Sequence, residues 1–230
     1  MEKDIHKFET ALGVSFNDIG LLKQAFIHRS YINEHKESGL EHNERLEFLG
    51  DAVLELVVTD FLYKKYPKKT EGELTAYRAA LVNTGSLSAA SDKLGVNEYL
   101  CLSKGEAQDT GRARQYILAN TFEAIAGALY LDQGYEAAQK FIDDNLFHLT
   151  EDIVEKGLWQ DAKSRFQEQA QEHAGITPRY ELVEERGPDH DKTFVIGVYL
   201  DKAQIATGKG LSKQEAEQDA AQAALELKGW

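Results

Sequence analysis

The chain has 230 residues, of which 42% are hydrophobic and 28% are charged, so its composition excludes a disordered protein and allows a domain of ordinary size with a smaller one. Its net charge is −13, and the stretch from Asp161 onward has 9 Lys and Arg against 13 Asp and Glu, a difference of −4. This balance excludes a broadly basic surface, so any binding of nucleic acid must depend on a few local cations.

The cysteine count and the hydrophobic pattern indicate the compartment. The single cysteine, Cys101, excludes an intramolecular disulfide and a cysteine-based zinc site, and it fits a reducing environment. The N-terminus has no apolar run typical of a signal peptide, and no segment approaches the about 18 apolar residues of a membrane span. We therefore predict a soluble, cytoplasmic protein with no membrane partner.

The first predicted elements are two short helices. Residues 4–12 form a helical pattern that Gly13 ends, and residues 18–31 form a second one with Leu22, Ala25 and Phe26 on one face. Within it, His28 alone is most simply a hydrogen-bonded structural histidine. The polar residues 33–42 are predicted to be a loop.

Residues 43–66 are predicted to form one long helix, since apolar residues recur at helical spacing until Pro67. Glu44, Glu47 and Asp51 stand at positions i, i+3 and i+7, so the three carboxylates share one stripe of the helix.

Two interpretations of this stripe are open. A charged stripe is usually a solvated surface. Here the helix is so apolar that most of its circumference must be buried, and like charges on such a helix repel and are costly to desolvate. A bound cation offsets both costs, and oxygen-only ligands suit Mg²⁺ or Mn²⁺.

The segment ERLEFLGDA, from Glu44 to Ala52, resembles the signature of the ribonuclease III family, which cuts double-stranded RNA. QAFIHRSY at 24–31 resembles a second segment of that family. Gly50 costs about 1 kcal/mol relative to alanine inside a helix, so it predicts a close approach by another backbone or by substrate.

The next predicted helix starts after Thr70, which forms a capping-box pattern with Glu73. The resemblance implies a supporting acidic role near the cleavage site for Glu71, as it does for Glu44. On its own, a glutamate in the first turn of a helix is explained by the helix dipole.

The loop LSKGEAQDTGRARQ matches a pattern of the family at Arg112 and Arg114. Arginines beside glycines in a loop can approach RNA phosphates closely, and generic loop polarity explains them equally well. The helix predicted from 116 to 131 resembles the second metal-binding segment of the family. Asn120 occupies the position of the family's aspartate, and Glu123 follows at i+3. The resemblance implies Glu47, Asp51, Asn120 and Glu123 as ligands of Mg²⁺, with Mn²⁺ as a substitute. Asp51 and Glu123 are the implied catalytic residues.

No convincing strand is predicted before Leu149, and the pattern changes after a linker at 156–160. A helix, three strands and a final helix follow, and this order, with GPDH at 187–190 and SKQEAEQDAA at 212–221, resembles a double-stranded-RNA-binding domain. A small α/β domain that binds protein is the alternative. The resemblance implies four RNA-binding residues in this domain: Gln167, His190, Lys209 and Lys213.

These observations predict an all-α endonuclease domain at 1–155 and a small α+β domain (α-β-β-β-α) that binds double-stranded RNA at 161–230. The resemblance implies a homodimer that leaves 5′-phosphate and 3′-hydroxyl ends, as in rRNA and mRNA processing. Phe48 resembles the family's interface residue, with simple core packing as the alternative. The rival hypothesis is a dimer that binds duplex RNA without cutting it, because Asn120 impairs the metal site.

Overall fold

The computed structural model describes residues 4–155, 157, 159, 161–187 and 192–230, apart from the side chain of Ser38. The chain divides into two compact units, Met1–Trp159 and Gln160–Trp230. The predicted boundary at 156–160 stays a prediction, since residues 156, 158 and 160 lie outside the described residues. Trp159, predicted to belong to the linker, packs edge-on against Tyr77 with the ring centroids 5.0 Å apart.

The described part of the first unit is helical, apart from one isolated bridge between Ile27 and Cys101. Short 3-10 helices cover Lys36–Ser38, Val96–Glu98 and Phe147–Leu149. The α-helices, in chain order, are α1 (Ile5–Leu12), α2 (Ile19–Ala25), α3 (Arg29–Glu34), α4 (Glu44–Lys65), α5 (Glu71–Leu81), α6 (Thr84–Lys93), α7 (Lys104–Gln108), α8 (Arg112–Gln133), α9 (Tyr135–Leu146) and α10 (Thr150–Glu155).

The two long helices, α4 and α8, form the centre of this unit. Leu54, Val57 and Val58 of α4 and Phe122 and Ile125 of α8 are completely buried in one core. Helix α4 ends at Lys65, two residues before Pro67, because proline cannot continue the hydrogen-bond ladder.

The prediction of one helix over residues 18–31 is wrong, because the chain breaks between α2 and α3. Ile27 forms a parallel bridge with Cys101, and His28 caps α3 by accepting a hydrogen bond from the backbone N–H of Ser30. The predicted loop after Leu102 also contains the short helix α7, which the hydroxyl of Ser103 caps. Helix α8 starts at Arg112, four residues before the predicted position.

The second unit has the predicted order α-β-β-β-α. Its three strands form an antiparallel sheet in the order β1-β2-β3, and Ile196, Val198 and Leu200 alternate as buried residues along β2. Phe166 and several alanines, including Ala220, complete a small core between the sheet and the helices. The elements are α11 (Ala162–Ala174), β1 (Arg179–Arg186), β2 (Thr193–Leu200), β3 (Ala203–Gly210) and α12 (Lys213–Lys228).

Glycines in β3 let α12 approach the sheet closely. A Cβ atom on Gly208 would lie 2.0 Å from the backbone nitrogen of Ala220, so only glycine fits there. None of the described helices is both long and apolar enough to cross a membrane.

Candidate active site

The candidate site lies where α4 and α8 cross in direct backbone contact. A Cβ atom on Gly50 would lie 1.8 Å from the carbonyl oxygen of Glu123, and one on Gly127 would lie 2.2 Å from that of Leu46. Both glycines are therefore required by the crossing. The predicted close approach at Gly50 is thus made by another helix. The sequence analysis did not identify Gly127, although the run of small residues AGA around it is typical of a close contact between helices.

This crossing brings four predicted site residues together. Asn120 hydrogen-bonds to the carboxylate of Glu47, and the charge of Asp51 acts on both Glu47 and Glu123. Asp51 is exposed, whereas the other three side chains are half-buried. A group of three carboxylates and one amide therefore occupies one side of the α4–α8 crossing.

Two carboxyl groups of this group, those of Glu47 and Glu123, have raised pKa values. Burial, reinforced by the charges of Asp51 and Glu47, raises the pKa of Glu123 to about 7. Burial and the charge of Glu44 also raise the pKa of Glu47, while the hydrogen bond from Asn120 acts in the opposite direction. Nearby positive charge would relieve these costs, and no lysine or arginine pairs with Glu47, Asp51 or Glu123 among the described residues.

The donor set fits a hard divalent cation. Its atoms are carboxylate oxygens and the carbonyl oxygen of an amide, which suit Mg²⁺ or Mn²⁺ better than zinc. Within the ranges that the structure describes, no three His, Cys, Asp or Glu side chains are already grouped as metal ligands.

The two supporting acidic residues are placed differently. Glu44 lies at the start of α4, where its carboxylate is 3.3 Å from the guanidinium of Arg29 and 3.7 Å from Nδ1 of His42. Glu71 is the exposed first residue of α5. In the described part of the chain, no interaction joins Glu71 to the four residues at the crossing, so its supporting role stays a prediction.

Residues 18–149 match the family described as Ribonuclease-III-like, and residues 162–228 match the Double-stranded RNA binding motif. The chain belongs to the ribonuclease III family. The prediction of an endoribonuclease, a hydrolase, is confirmed, and so is the predicted fold class of a helical nuclease domain followed by an α-β-β-β-α domain. Dependence on divalent metal is general in this family.

Individual relatives cover nearly the whole chain. Ribonuclease 3 of Enterococcus faecalis is 46% identical over 216 residues, which make up 93% of this chain and 92% of the relative. Ribonuclease 3 of Oceanobacillus iheyensis is 46% identical over 224 residues, or 97% of each chain. The solved nuclease domain of ribonuclease III from Campylobacter jejuni is 38% identical, with a TM-score of 0.56, and covers 62% of this chain and 98% of that domain.

Phe48, on the ribonuclease III signature helix, is not a core residue. Its side chain is 82% exposed, which excludes the alternative of simple core packing. It stands at the edge of an open cavity of about 560 Å³, which is lined by leucines such as Leu21 and Leu131 and by polar residues such as Gln24 and Arg45. An exposed aromatic beside a cavity of mixed polarity is compatible with an interface between protein subunits.

The two arginines predicted to contact RNA phosphates have different environments. Arg112 is exposed at the start of α8. Arg114 is half-buried, and its guanidinium donates hydrogen bonds of 2.6 Å to the side chain of Asn97 and to the carbonyl oxygen of Glu106. These bonds commit much of the Arg114 side chain to holding the α7 segment, so its predicted contact with RNA has less support than that of Arg112.

In the double-stranded-RNA-binding domain, Gln167 and Lys209 are exposed on α11 and β3. Lys213 is the exposed first residue of α12, with its ammonium 6.0 Å from the ring centroid of Phe194. His190 lies outside the described residues. The match to the binding motif supports double-stranded RNA as a partner, while the roles of these four residues stay predictions.

Proposed function

We propose that this chain hydrolyses phosphodiester bonds of double-stranded RNA by using a divalent cation at the α4–α8 crossing. The observation that carries this proposal is the convergence of Glu47, Asp51, Asn120 and Glu123 at a point that two glycines create. Burial and neighbouring negative charge raise the pKa values of Glu47 and Glu123, so their ionised carboxylates are costly to the fold. A functional requirement for negative charge explains why they are there.

Glu47, Asp51 and Glu123 would hold the cation through carboxylate oxygens, and Asn120 would offer its carbonyl oxygen. Mg²⁺ is the proposed ion, with Mn²⁺ as a substitute. A divalent cation in such a site supplies activation of a water molecule and neutralisation of charge on the phosphate.

The protein side chains have separate tasks in this proposal. The amide of Asn120 donates to Glu47 and so orients that carboxylate toward the crossing. Glu123, with a pKa of about 7, holds a proton in part of the metal-free molecules at neutral pH and loses it when the cation binds. Glu44 and Glu71 would position water, a second ion or the scissile strand.

Phe48 supports the proposal of a two-fold homodimer. In an isologous interface, Phe48 of each subunit would enter the cavity beside Phe48 of the other and contact its leucines. Each subunit would then contribute one acidic site, and each site would cut one strand of the duplex. The proposed products have 5′-phosphate and 3′-hydroxyl ends, and the proposed setting is rRNA and mRNA processing in the cytoplasm.

The test is cleavage of a labelled RNA duplex across a Mg²⁺ titration, with the parent chain compared with Asn120→Asp. We expect cleavage by both proteins, with the variant needing less Mg²⁺, because a carboxylate adds charge where the amide offers only a carbonyl oxygen. Glu123→Gln should abolish cleavage and leave duplex binding intact. Loss of binding in that variant would instead assign Glu123 a structural role.

The second candidate function is a dimer that binds duplex RNA without cutting it, and the observation in its favour is the uncharged Asn120 within the acidic group. Cleavage by Asn120→Asp alone, with none by the parent chain at any Mg²⁺ concentration, would establish this alternative.

A further inference from the structure

The break between α2 and α3 forms a junction of three chain segments that are distant in sequence. On one side, the backbone N–H of His28 donates to the carbonyl oxygen of Cys101 (3.1 Å), and that of Cys101 donates to Phe26 (2.9 Å). On the other side, the backbone N–H of Asn43 donates to Ile27 (2.9 Å). The segment 26–28 therefore connects the start of the signature helix α4 with the segment that leads into α7.

The side chain of Asn43 forms a hydrogen bond within this junction and none that caps its own helix, α4. Asn43 stands in the N-cap position of α4, yet its side chain makes no capping hydrogen bond there. Its amide donates instead to the carbonyl oxygen of Ala25 at 3.0 Å, and the residue is buried. Capping residues normally stabilise a helix by about 1 kcal/mol, so the side chain has been diverted to tie α4 to the junction.

Helix α3 extends the junction to the start of α7 through two side chains one turn apart. The hydroxyl oxygen of Ser30 accepts a hydrogen bond from the backbone N–H of Ser103 at 3.0 Å. The carboxylate of Glu34 accepts from the backbone N–H of Lys104, at 3.3 and 3.2 Å to its two oxygens. Ser30 and Glu34 therefore accept hydrogen bonds from two consecutive backbone N–H groups, those of Ser103 and Lys104. Backbone N–H groups at the start of a helix such as α7 have no partner within the helix.

The hydroxyl of Ser30 is oriented by His28. Nδ1 of His28 accepts a hydrogen bond from the backbone N–H of Ser30 (3.3 Å) and lies 2.8 Å from the Ser30 hydroxyl oxygen. With Nδ1 as the acceptor, the hydroxyl donates to His28, and its oxygen remains free to accept from Ser103. His28, Ser30 and Ser103 thus form one hydrogen-bonded chain across two segments 73 residues apart.

The same junction reaches functional groups at both ends. Next to Ser30, Arg29 places its guanidinium 3.3 Å from the carboxylate of Glu44 on the signature helix. Beyond α7, Arg114 donates to the carbonyl oxygen of Glu106 and holds the far end of that helix. Between these two contacts, Lys104, the first residue of α7, is exposed.

We propose that Ser30 and Glu34 form a clasp that fixes the α7 segment relative to the acidic end of the signature helix, and that Ser30 is thereby a positioning residue for RNA. This proposal rests on the proposed function, in which Lys104 and Arg112 would contact RNA phosphates. Lys104 lies in the α7 segment, and Arg112 follows that segment at the start of α8. The hydrogen bonds of Ser30 and Glu34 would affect the binding of RNA by the nuclease domain. Neither residue belongs to the group proposed to hold the cation.

The first arm of the test needs neither RNA nor metal. Hydrogen exchange is measured on the full chain and on Ser30→Ala, Ser30→Thr and Glu34→Ala, with Asn33→Ala as the control because Asn33 is exposed on the same helix. We expect faster exchange in residues 102–108 of both alanine variants, no change in the centre of α4, and native exchange in Ser30→Thr, whose hydroxyl can restore the hydrogen bond.

The second arm measures duplex cleavage at saturating Mg²⁺. We expect Ser30→Ala to raise KM about fivefold, the effect of one lost hydrogen bond, with kcat within about twofold of the parent. Ser30→Thr should restore KM, and Asn33→Ala should match the parent.

The two arms separate failure of this proposal from failure of the proposed function. If the parent chain does not cleave RNA, the proposed function fails, and the hydrogen-exchange measurement still tests whether Ser30 and Glu34 hold the α7 segment. Unchanged exchange in Ser30→Ala, an unchanged KM beside normal cleavage, a loss confined to kcat, or a Ser30→Thr variant that behaves like Ser30→Ala would each overturn the proposal.

Discussion

The acidic residues of the small domain and those at the α4–α8 crossing have different surroundings. In the small domain, Glu185 lies 2.7 Å from Lys192 and Glu217 lies 2.6 Å from Lys163, and Glu181 and Glu184 pair with neighbouring arginines. At the α4–α8 crossing, the charges that act on Glu123 are those of Asp51 and Glu47. From the sequence alone, the acidic residues of the small domain and those at the crossing cannot be told apart, since both are glutamates and aspartates beside apolar residues.

This difference shows how a functional carboxylate is distinguished from a surface one. Exposed ion pairs contribute about 0 to 1 kcal/mol each and need no function to explain them. Carboxylates that face one another beside a buried contact weaken the fold, which is the reason that their convergence indicates a role.

The largest effect is expected from Gly50→Ala, which removes the crossing that brings the carboxylates together. The added methyl group would lie 1.8 Å from the carbonyl oxygen of Glu123, so α4 and α8 must separate. We expect a loss of about 4 kcal/mol in the free energy of unfolding, measured by denaturant titration, together with loss of cleavage.

The matched control for this change is Gly72→Ala, on the exposed side of α5, where nothing lies within 4 Å of the added atom. There we expect unchanged or slightly higher stability, because alanine is the better helix former. Equal effects of the two substitutions would contradict the close crossing.

An intermediate effect is expected when the half-buried carboxylate is replaced by Glu123→Gln in metal-free buffer, because burial and the charges of Asp51 and Glu47 both oppose its ionisation. The pKa of Glu123 is about 7 in the folded protein and follows its ordinary value of 4.5 in the unfolded chain. Because the folded state holds the proton more tightly, this carboxyl lowers stability progressively as the pH rises from 4.5 through 7. The variant should therefore gain about 2 kcal/mol at pH 8, after allowance for solvent screening, and almost nothing at pH 4.

Thermal unfolding at the two pH values measures this gain, and Glu217→Gln is the control for a paired carboxylate. Since Glu217 contacts Lys163, its substitution should leave stability unchanged or lower it by up to about 1 kcal/mol. A stabilised Glu217→Gln, or a Glu123→Gln that loses stability at pH 8, would remove the distinction between the two groups.

The smallest effect is expected on the pH dependence of cation binding. With a pKa of about 7, Glu123 is mostly protonated at pH 6 and mostly ionised at pH 8, so Mg²⁺ affinity should rise about tenfold between them. Calorimetry in buffers with different ionisation enthalpies would detect the released proton. An affinity that is flat over this range would show that Glu123 does not hold the cation.

Local patterns predicted most of the secondary structure. The long helix with Glu44, Glu47 and Asp51, the helix with Asn120 and Glu123, and the order of the small domain all follow from periodicity, caps and breaks within a few residues. The break between α2 and α3 could not be found in this way, since it depends on Cys101, far along the chain.

Side-chain partners were the least predictable feature of the site. The sequence pattern of Arg114 indicated RNA phosphates, and its partners are Asn97 and the carbonyl oxygen of Glu106. Asn43 stands at the N-cap of α4, and its amide donates instead to the carbonyl oxygen of Ala25 in α2. In each case the partner lies in another element, so no local pattern encodes the contact.

By itself, the sequence determined which residues are acidic, which face of each helix they share and where each helix can end, because these properties depend on spacing along one segment. The tertiary structure decided that α4 and α8 touch at Gly50 and Gly127, and that Glu47, Asp51, Asn120 and Glu123 meet there without a positive partner among the described residues. The physical reason is that charge repulsion, burial and hydrogen bonding depend on distances in space, and those distances exist only once the helices have packed.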